Sequence, residues 1–213
     1  MARPTSRYDA TIATVGPMTA ANLALPAARP HRLVLADLLP GAKVRDAVLV
    51  LAGAGLTGLA AQIAVHVPWT PVPFTLQTLA VLLVGASLGS VRGLVSMLLY
   101  LVAGVAGVPW FAAHGHGWGG PSFGYLIGFV LAATVAGALA ERRADRRVTG
   151  TIALMLLGNL VVYVVGATWL AASLHVGAAK AVDLGVRPFL SADLVKTVIA
   201  AVVLPSAWKL TRS

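Results

Sequence analysis

The 213-residue sequence has no cysteine, only seven acidic residues, and charge of either sign at just 11% of its positions. Without thiols there can be no disulfide and no thiolate metal centre. So little charge excludes an ordinary soluble domain, in which about 25% of positions are charged. No Gly-x-x-x-x-Gly-Lys-Ser/Thr string occurs, so the chain lacks the phosphate-cradling loop needed to hydrolyse ATP itself. No His-Glu-x-x-His string marks a zinc protease. What is present is apolar: 58% of residues are hydrophobic and the mean hydropathy is +0.86.

Charge is missing in blocks. No Asp, Glu, Lys or Arg falls within 47–91 or within 93–140, and each block accommodates two helices of roughly 20 residues joined by a turn. The uncharged segment 148–179 supplies another crossing, and 191–208 one more. The expectation is an all-α integral membrane protein with six transmembrane helices over 47–208, near 47–67, 74–90, 93–108, 123–140, 150–173 and 191–208. Residues 1–46, rich in Arg, Pro and Ala, read as a disordered cytoplasmic extension, and 209–213 as a short tail. The one apolar patch of the extension, 33–39, is too short and too interrupted by Asp37 for a secretory signal.

The net charge of +9 suggests nucleic acid until its positions are examined. Arg29, Arg32, Lys43, Arg45, Arg92, Arg142, Arg143, Arg146, Arg147, Lys209 and Arg212 all fall on one side of a six-helix arrangement. The opposite loops hold only Lys180 and Arg187. This positive-inside bias places both termini in the cytoplasm of a cell with a plasma membrane and explains the excess without nucleic acid.

Asp193 and Lys196 are the exceptions, because they enter a membrane segment. Such residues are costly there and need partners, and a spacing of three puts both on one helix face. They are either a structural ion pair or a ligand clamp, with a carboxylate for N–H donors and an ammonium for an anion or carbonyl. Ser191 reads as the N-cap of their helix. Gln77 and its neighbours Thr75 and Thr78 are polar at membrane depth and should face a ligand or the interior. The small residues Gly53, Thr57, Ala60, Ala61 and Ala64 form stripes along the first helix that suit bundle packing or the docking of a partner protein. His114 and His116, two apart in a glycine-rich loop with no carboxylate nearby, read as loop residues rather than metal ligands, and no metal site is expected.

Several strings in order resemble the BioY family, the biotin-binding S components of energy-coupling factor (ECF) transporters. They are Ala61-Gln62-Ile63-Ala64-Val65, Pro71-Val72-Pro73-Phe74-Thr75-Leu76-Gln77-Thr78, Gly107-Val108-Pro109-Trp110-Phe111, Gly124-Tyr125-Leu126-Ile127-Gly128-Phe129, Tyr163-Val164-Val165-Gly166-Ala167-Thr168-Trp169-Leu170 and Pro188-Phe189-Leu190-Ser191-Ala192-Asp193-Leu194-Val195-Lys196. The resemblance spans about 45–208. It implies the S-component fold, uptake of biotin rather than catalysis, no cofactor, and a site to which Asp193 and Lys196 contribute. Trp110, Phe111, Tyr125, Tyr163 and Trp169 are placed to pack on the ligand rings, with Gln77 adding a hydrogen bond. It also implies docking of helix 1 on a transmembrane coupling subunit driven by two cytosolic ATPase subunits. A solitary biotin transporter, or an S component for another vitamin or small organic anion, is the alternative.

Overall fold

A computed structural model of the chain describes residues 34–39 and 43–211. The expectation of disorder for residues 1–33 lies outside the described residues. Helices α1 (Lys43–Gln62), α2 (Gln77–Leu88), α3 (Ser90–Val105), α4 (Phe123–Glu141), α5 (Val148–Leu174), α6 (Ala178–Gly185) and α7 (Leu190–Leu210) account for most of them. Two-residue strands β1 (Ala64–Val65) and β2 (Phe74–Thr75) pair antiparallel, Ala64 opposite Thr75 and Val65 opposite Phe74. Four helical segments are long and apolar enough to cross a membrane: Lys43–Gln62, Phe123–Glu141, Val148–Leu174 and Ala178–Leu210, the last uniting α6 and α7. Helices α2 and α3 are apolar but shorter.

The differences from the sequence reading sit at helix ends. Helix α1 stops at Gln62, and α2 starts at Gln77 rather than at residue 74: Pro68, Pro71 and Pro73 in the segment between them cannot donate the backbone hydrogen bonds of a helix, and Phe74–Thr75 pairs with Ala64–Val65 instead. Ser191 is not an N-cap: α7 is already under way at Leu190 after a 3-10 turn over Arg187–Phe189, with no side-chain cap. Pro188 in that turn presets the entry angle. Helix α6 is new to the structure; it buries Ala181 and Gly185 and leaves Lys180 and Asp183 exposed, and eight residues, barely two turns, are too few to announce it.

Helix α4 is the hub, packed against α2, α3, α5 and the turn after it. Its small residues permit backbone-to-backbone approach: a Cβ at Gly137 would lie 2.3 Å from the Ser90 nitrogen, and one at Gly85 would lie 2.4 Å from the Ala133 carbonyl. Close approach of this kind replaces the hydrophobic effect as the source of helix association in lipid.

The small stripe of α1 packs inside the bundle in the same way, the first of the two uses its spacing allows. Gly53, Thr57, Ala60 and Ala61 are buried within the bundle; a Cβ on Gly53 would lie 2.8 Å from the Ser96 hydroxyl and 2.9 Å from a Val84 methyl, so those side chains would have to move. Ala64 belongs to β1.

The ends of the helices away from the prolines are closed by charge. Glu141 Oε1 accepts from the Ser90 nitrogen and hydroxyl at 2.8 and 2.6 Å, beneath a turn at Gly89 whose φ of +88° suits glycine. The end of the presumed extension is folded: a 3-10 turn over Leu35–Leu38 buries Val34 and Ala36 in the core and sets Asp37 2.6 Å from Arg92. Partial burial raises the Asp37 pKa, but the Arg92 guanidinium and the Val34 N–H outweigh it, and the net shift is downward. Asp145, in the turn between α4 and α5, is fully buried; Oδ2 accepts the Trp208 indole N–H, while Oδ1 has no hydrogen-bond partner. Burial holds its carboxyl above the usual range in spite of Trp208 and Arg146.

Candidate functional site

At the opposite end from these charges a cavity of about 250 Å³ opens between the Pro-rich turn, the loop after α3, the first turns of α2, α4 and α7, and the middle of α5. Its polar wall is built by three helices. Helix α7 brings Asp193 and Lys196 onto one face, 5% and 7% exposed; Lys196 Nζ lies 2.8 Å from Asp193 Oδ1 and donates to Thr78 Oγ1 of α2 at 2.7 Å. Thr78 in turn donates to Asp193 Oδ1 at 3.1 Å. The Tyr163 hydroxyl of α5 donates to Asp193 Oδ2.

This cluster satisfies the condition for keeping charge away from water: the pair is close and each member has further hydrogen bonds. It is neutral as a whole, yet it presents both a carboxylate edge and an ammonium whose third N–H is unused among these contacts. A ligand group that both donates and accepts suits it better than a bare anion.

The remaining wall is aromatic and apolar. Tyr125 and Phe129 of α4, Val162 of α5, Phe189 before α7, and Phe111, Trp118 and Phe123 line the cavity. Tyr125 turns its hydroxyl away, donating to the Gly185 carbonyl at 2.8 Å, which leaves its ring to the cavity. Phe189 is braced from behind by Phe74 at 4.3 Å between centroids.

Of the residues expected from sequence, Asp193, Lys196, Gln77, Phe111, Tyr125 and Tyr163 meet at this cavity. Trp110 and Trp169 do not line it. The Trp110 indole donates to the Tyr100 carbonyl at 2.9 Å and packs on Gly58 of α1. Trp169 donates to the Gly120 carbonyl at 3.0 Å and backs Phe123 at 5.5 Å. Sequence reading noticed Thr78 but gave it no place in the site; its polarity at membrane depth beside Gln77 was the available signal. Phe129, Val162 and Phe189 carried none, since apolar residues in apolar helices look alike.

His116 lines the cavity with His66, whereas His114 uses its backbone N–H on Gln62; among the described residues no three His, Cys, Asp or Glu are grouped to hold a metal. Two Gly-x-Ser-x-Gly strings, Gly85-Ala86-Ser87-Leu88-Gly89 and Gly120-Pro121-Ser122-Phe123-Gly124, close α2 and open α4. Neither sits on the strand-to-helix elbow that exposes a nucleophilic serine.

The model of the BioY family matches residues 31–213. This chain belongs to the BioY family. It is 39% identical over 164 residues to the "Probable biotin transporter BioY" of Pyrococcus horikoshii, covering 76% of this chain and 94% of that one. It is 36% identical over 142 residues to the "Biotin transporter BioY" of Thermotoga maritima, covering 65% and 82%. Among solved structures it resembles the S-component for biotin from an ECF-type ABC transporter, with a TM-score of 0.70 at 21% identity over 78% of this chain and 92% of that one. At that identity the likeness speaks for the fold. Membership of BioY, together with the four long apolar segments, makes the chain an integral membrane protein.

Proposed function

We propose that this BioY protein is a biotin transporter subunit, not an enzyme, and that biotin's ureido ring binds at the Asp193–Lys196 cluster. The observation that carries the reading is the neutrality of that cluster at 2.8 Å separation. A ureido group is neutral, with two N–H donors and one carbonyl acceptor; Asp193 can take an N–H while the free N–H of Lys196 reaches the carbonyl. The apolar thiophane ring then meets Tyr125, Phe129 and Phe189, and the valerate carboxylate is left for the mouth, where His66 and His116 stand.

The same reading has six crossings, α2 and α3 completing the four long segments, with both termini in the cytoplasm and the cavity facing outward across the plasma membrane. The charge bias of the loops supports it. Binding delivers biotin to a complex with an ECF coupling subunit and two cytosolic ATPases; support comes from the structural relative, named as the S-component for biotin of an ECF-type ABC transporter.

Titration of the detergent-purified protein with biotin tests the proposal. Saturable binding that competes with free biotin but not with valerate alone is expected. Absence of saturable binding, or equal competition by valerate, overturns it.

A further inference from the structure

A run of buried hydrogen bonds leaves the cavity wall and ends at the root of the loop that covers it. Gln77 Nε2 donates to the Tyr100 hydroxyl of α3 at 2.7 Å, and that hydroxyl donates to the Trp110 carbonyl at 3.1 Å. The Trp110 indole returns a bond to the Tyr100 carbonyl. Gln62 Nε2, with two N–H groups, lies 2.9 Å from the Gly58 carbonyl and 3.2 Å from each of the Trp110 and Phe111 carbonyls. Gln62 Oε1 in turn accepts from the His114 nitrogen at 3.1 Å. Beyond this root Ala113 and His114 are both in the left-handed region, at φ +53° and +59°, a conformation that side chains other than glycine hold only when their surroundings enforce it. The loop continues along the cavity through Gly115, His116, Gly117 and Trp118.

Packing alone does not explain the tyrosine. Its ring meets Trp110 at 5.2 Å and Phe111 at 5.3 Å, contacts a phenylalanine would make equally well. Only the hydroxyl, accepting from one side and donating to the other, joins the wall residue Gln77 to the loop. Tyr100 is almost fully buried and does not line the cavity, so water does not substitute for its hydroxyl.

We propose that Tyr100 is a positioning residue that pins the covering loop shut by relaying the placement of Gln77 to the Trp110 carbonyl, so that a ligand touching Gln77 is felt at the root of the loop. The relay to a bound ligand rests on the reading of the cavity as the biotin site; the pinning does not.

Amide hydrogen exchange across 111–118 in the detergent-purified, ligand-free protein tests the pin. Tyr100→Phe should speed exchange there by about tenfold, the scale of a lost buried hydrogen bond, with α4 and α5 unchanged; Gln77→Leu should do likewise, and the double variant should be no faster than Tyr100→Phe alone. Unchanged loop exchange in Tyr100→Phe, faster exchange throughout the protein, or additive effects in the double variant overturn the proposal. Should Tyr100→Phe not fold, Gln77→Leu decides by the same local criterion. With biotin added, exchange should slow in the wild type and much less in Tyr100→Phe; equal slowing in both overturns the relay. A wild type that binds no biotin counts against the function proposed above, while the ligand-free comparison still decides the pin.

Discussion

Asp193 stands in the first turns of α7, and at the far end of that helix Trp208 reaches Asp145. Both carboxylates are buried, but they are kept differently. Asp193 has Lys196, Thr78 and Tyr163 around it and borders open space. Asp145 has the Trp208 indole on one oxygen, nothing hydrogen-bonded to the other, and no part in the cavity. The first arrangement contains spare donors and acceptors beside a void, which is what a ligand exchanges with. The second is a joint, tying the turn between α4 and α5 to the last turn of α7, and it tolerates an incomplete hydrogen-bond set because nothing has to enter or leave.

The comparison breaks most sharply at Asp193. Asp193→Asn leaves Lys196 buried without its counter-charge, a change worth about 3–5 kcal/mol in buried pairs; equilibrium titration should show biotin affinity weakened by at least about 100-fold. Retained affinity would make the pair structural and erase the contrast with Asp145.

At the other end Trp208→Phe removes the donor that Asp145 has. Thermal unfolding in detergent should report a loss of about 2 kcal/mol, as for a buried acceptor left unmatched, with biotin affinity unchanged. A matching loss of affinity would show that the two ends of α7 are energetically coupled.

The two acids at this end, Asp145 and Asp37, should also give opposite pH responses. Asp145 binds its proton more tightly folded than unfolded, where its pKa is about 4. Above that pH the unfolded chain releases its proton first, so stability falls as pH rises until the raised pKa of the folded carboxyl is passed. Asp145→Asn should flatten this slope. Asp37 is shifted the other way; its contribution is complete above about pH 4 and disappears as acid carries the solution through its lowered pKa. Melting temperatures between pH 3 and 8 distinguish the two.

The smallest expected effect is at Trp169. Because it backs Phe123 rather than lining the cavity, Trp169→Phe should alter biotin binding by less than about 0.5 kcal/mol, as for positions away from a site. A larger loss would return it to the cavity wall.

Asp193 and Lys196 were legible in the sequence because charge is scarce enough for two ionised residues inside an apolar helix to stand out. Their neighbour Thr78 was half legible, since a threonine at membrane depth faces either a ligand or a helix backbone. The packing role of Gly53, Thr57, Ala60 and Ala61 was half legible too, because a small residue allows close approach by a bundle neighbour and by another subunit alike. That Trp110 and Trp169 stand behind the lining was not legible for a related reason: a tryptophan with an indole N–H to satisfy is pulled toward whichever carbonyl is near, and the sequence does not tell which. Helix α6 and the β1–β2 pair are too short for any periodicity to mark them.

The neutral pairing of Lys196 with Asp193 has an electrical consequence. An unpaired charge carried through the full membrane potential exchanges about 2.3 kcal/mol with it per 100 mV, so a lone lysine or aspartate at this depth would make any movement of α7 along the membrane normal voltage-dependent. Held 2.8 Å apart, the two move as a small dipole and do almost no work against the field. The voltage sensitivity of uptake should then report the charge that the ligand itself brings.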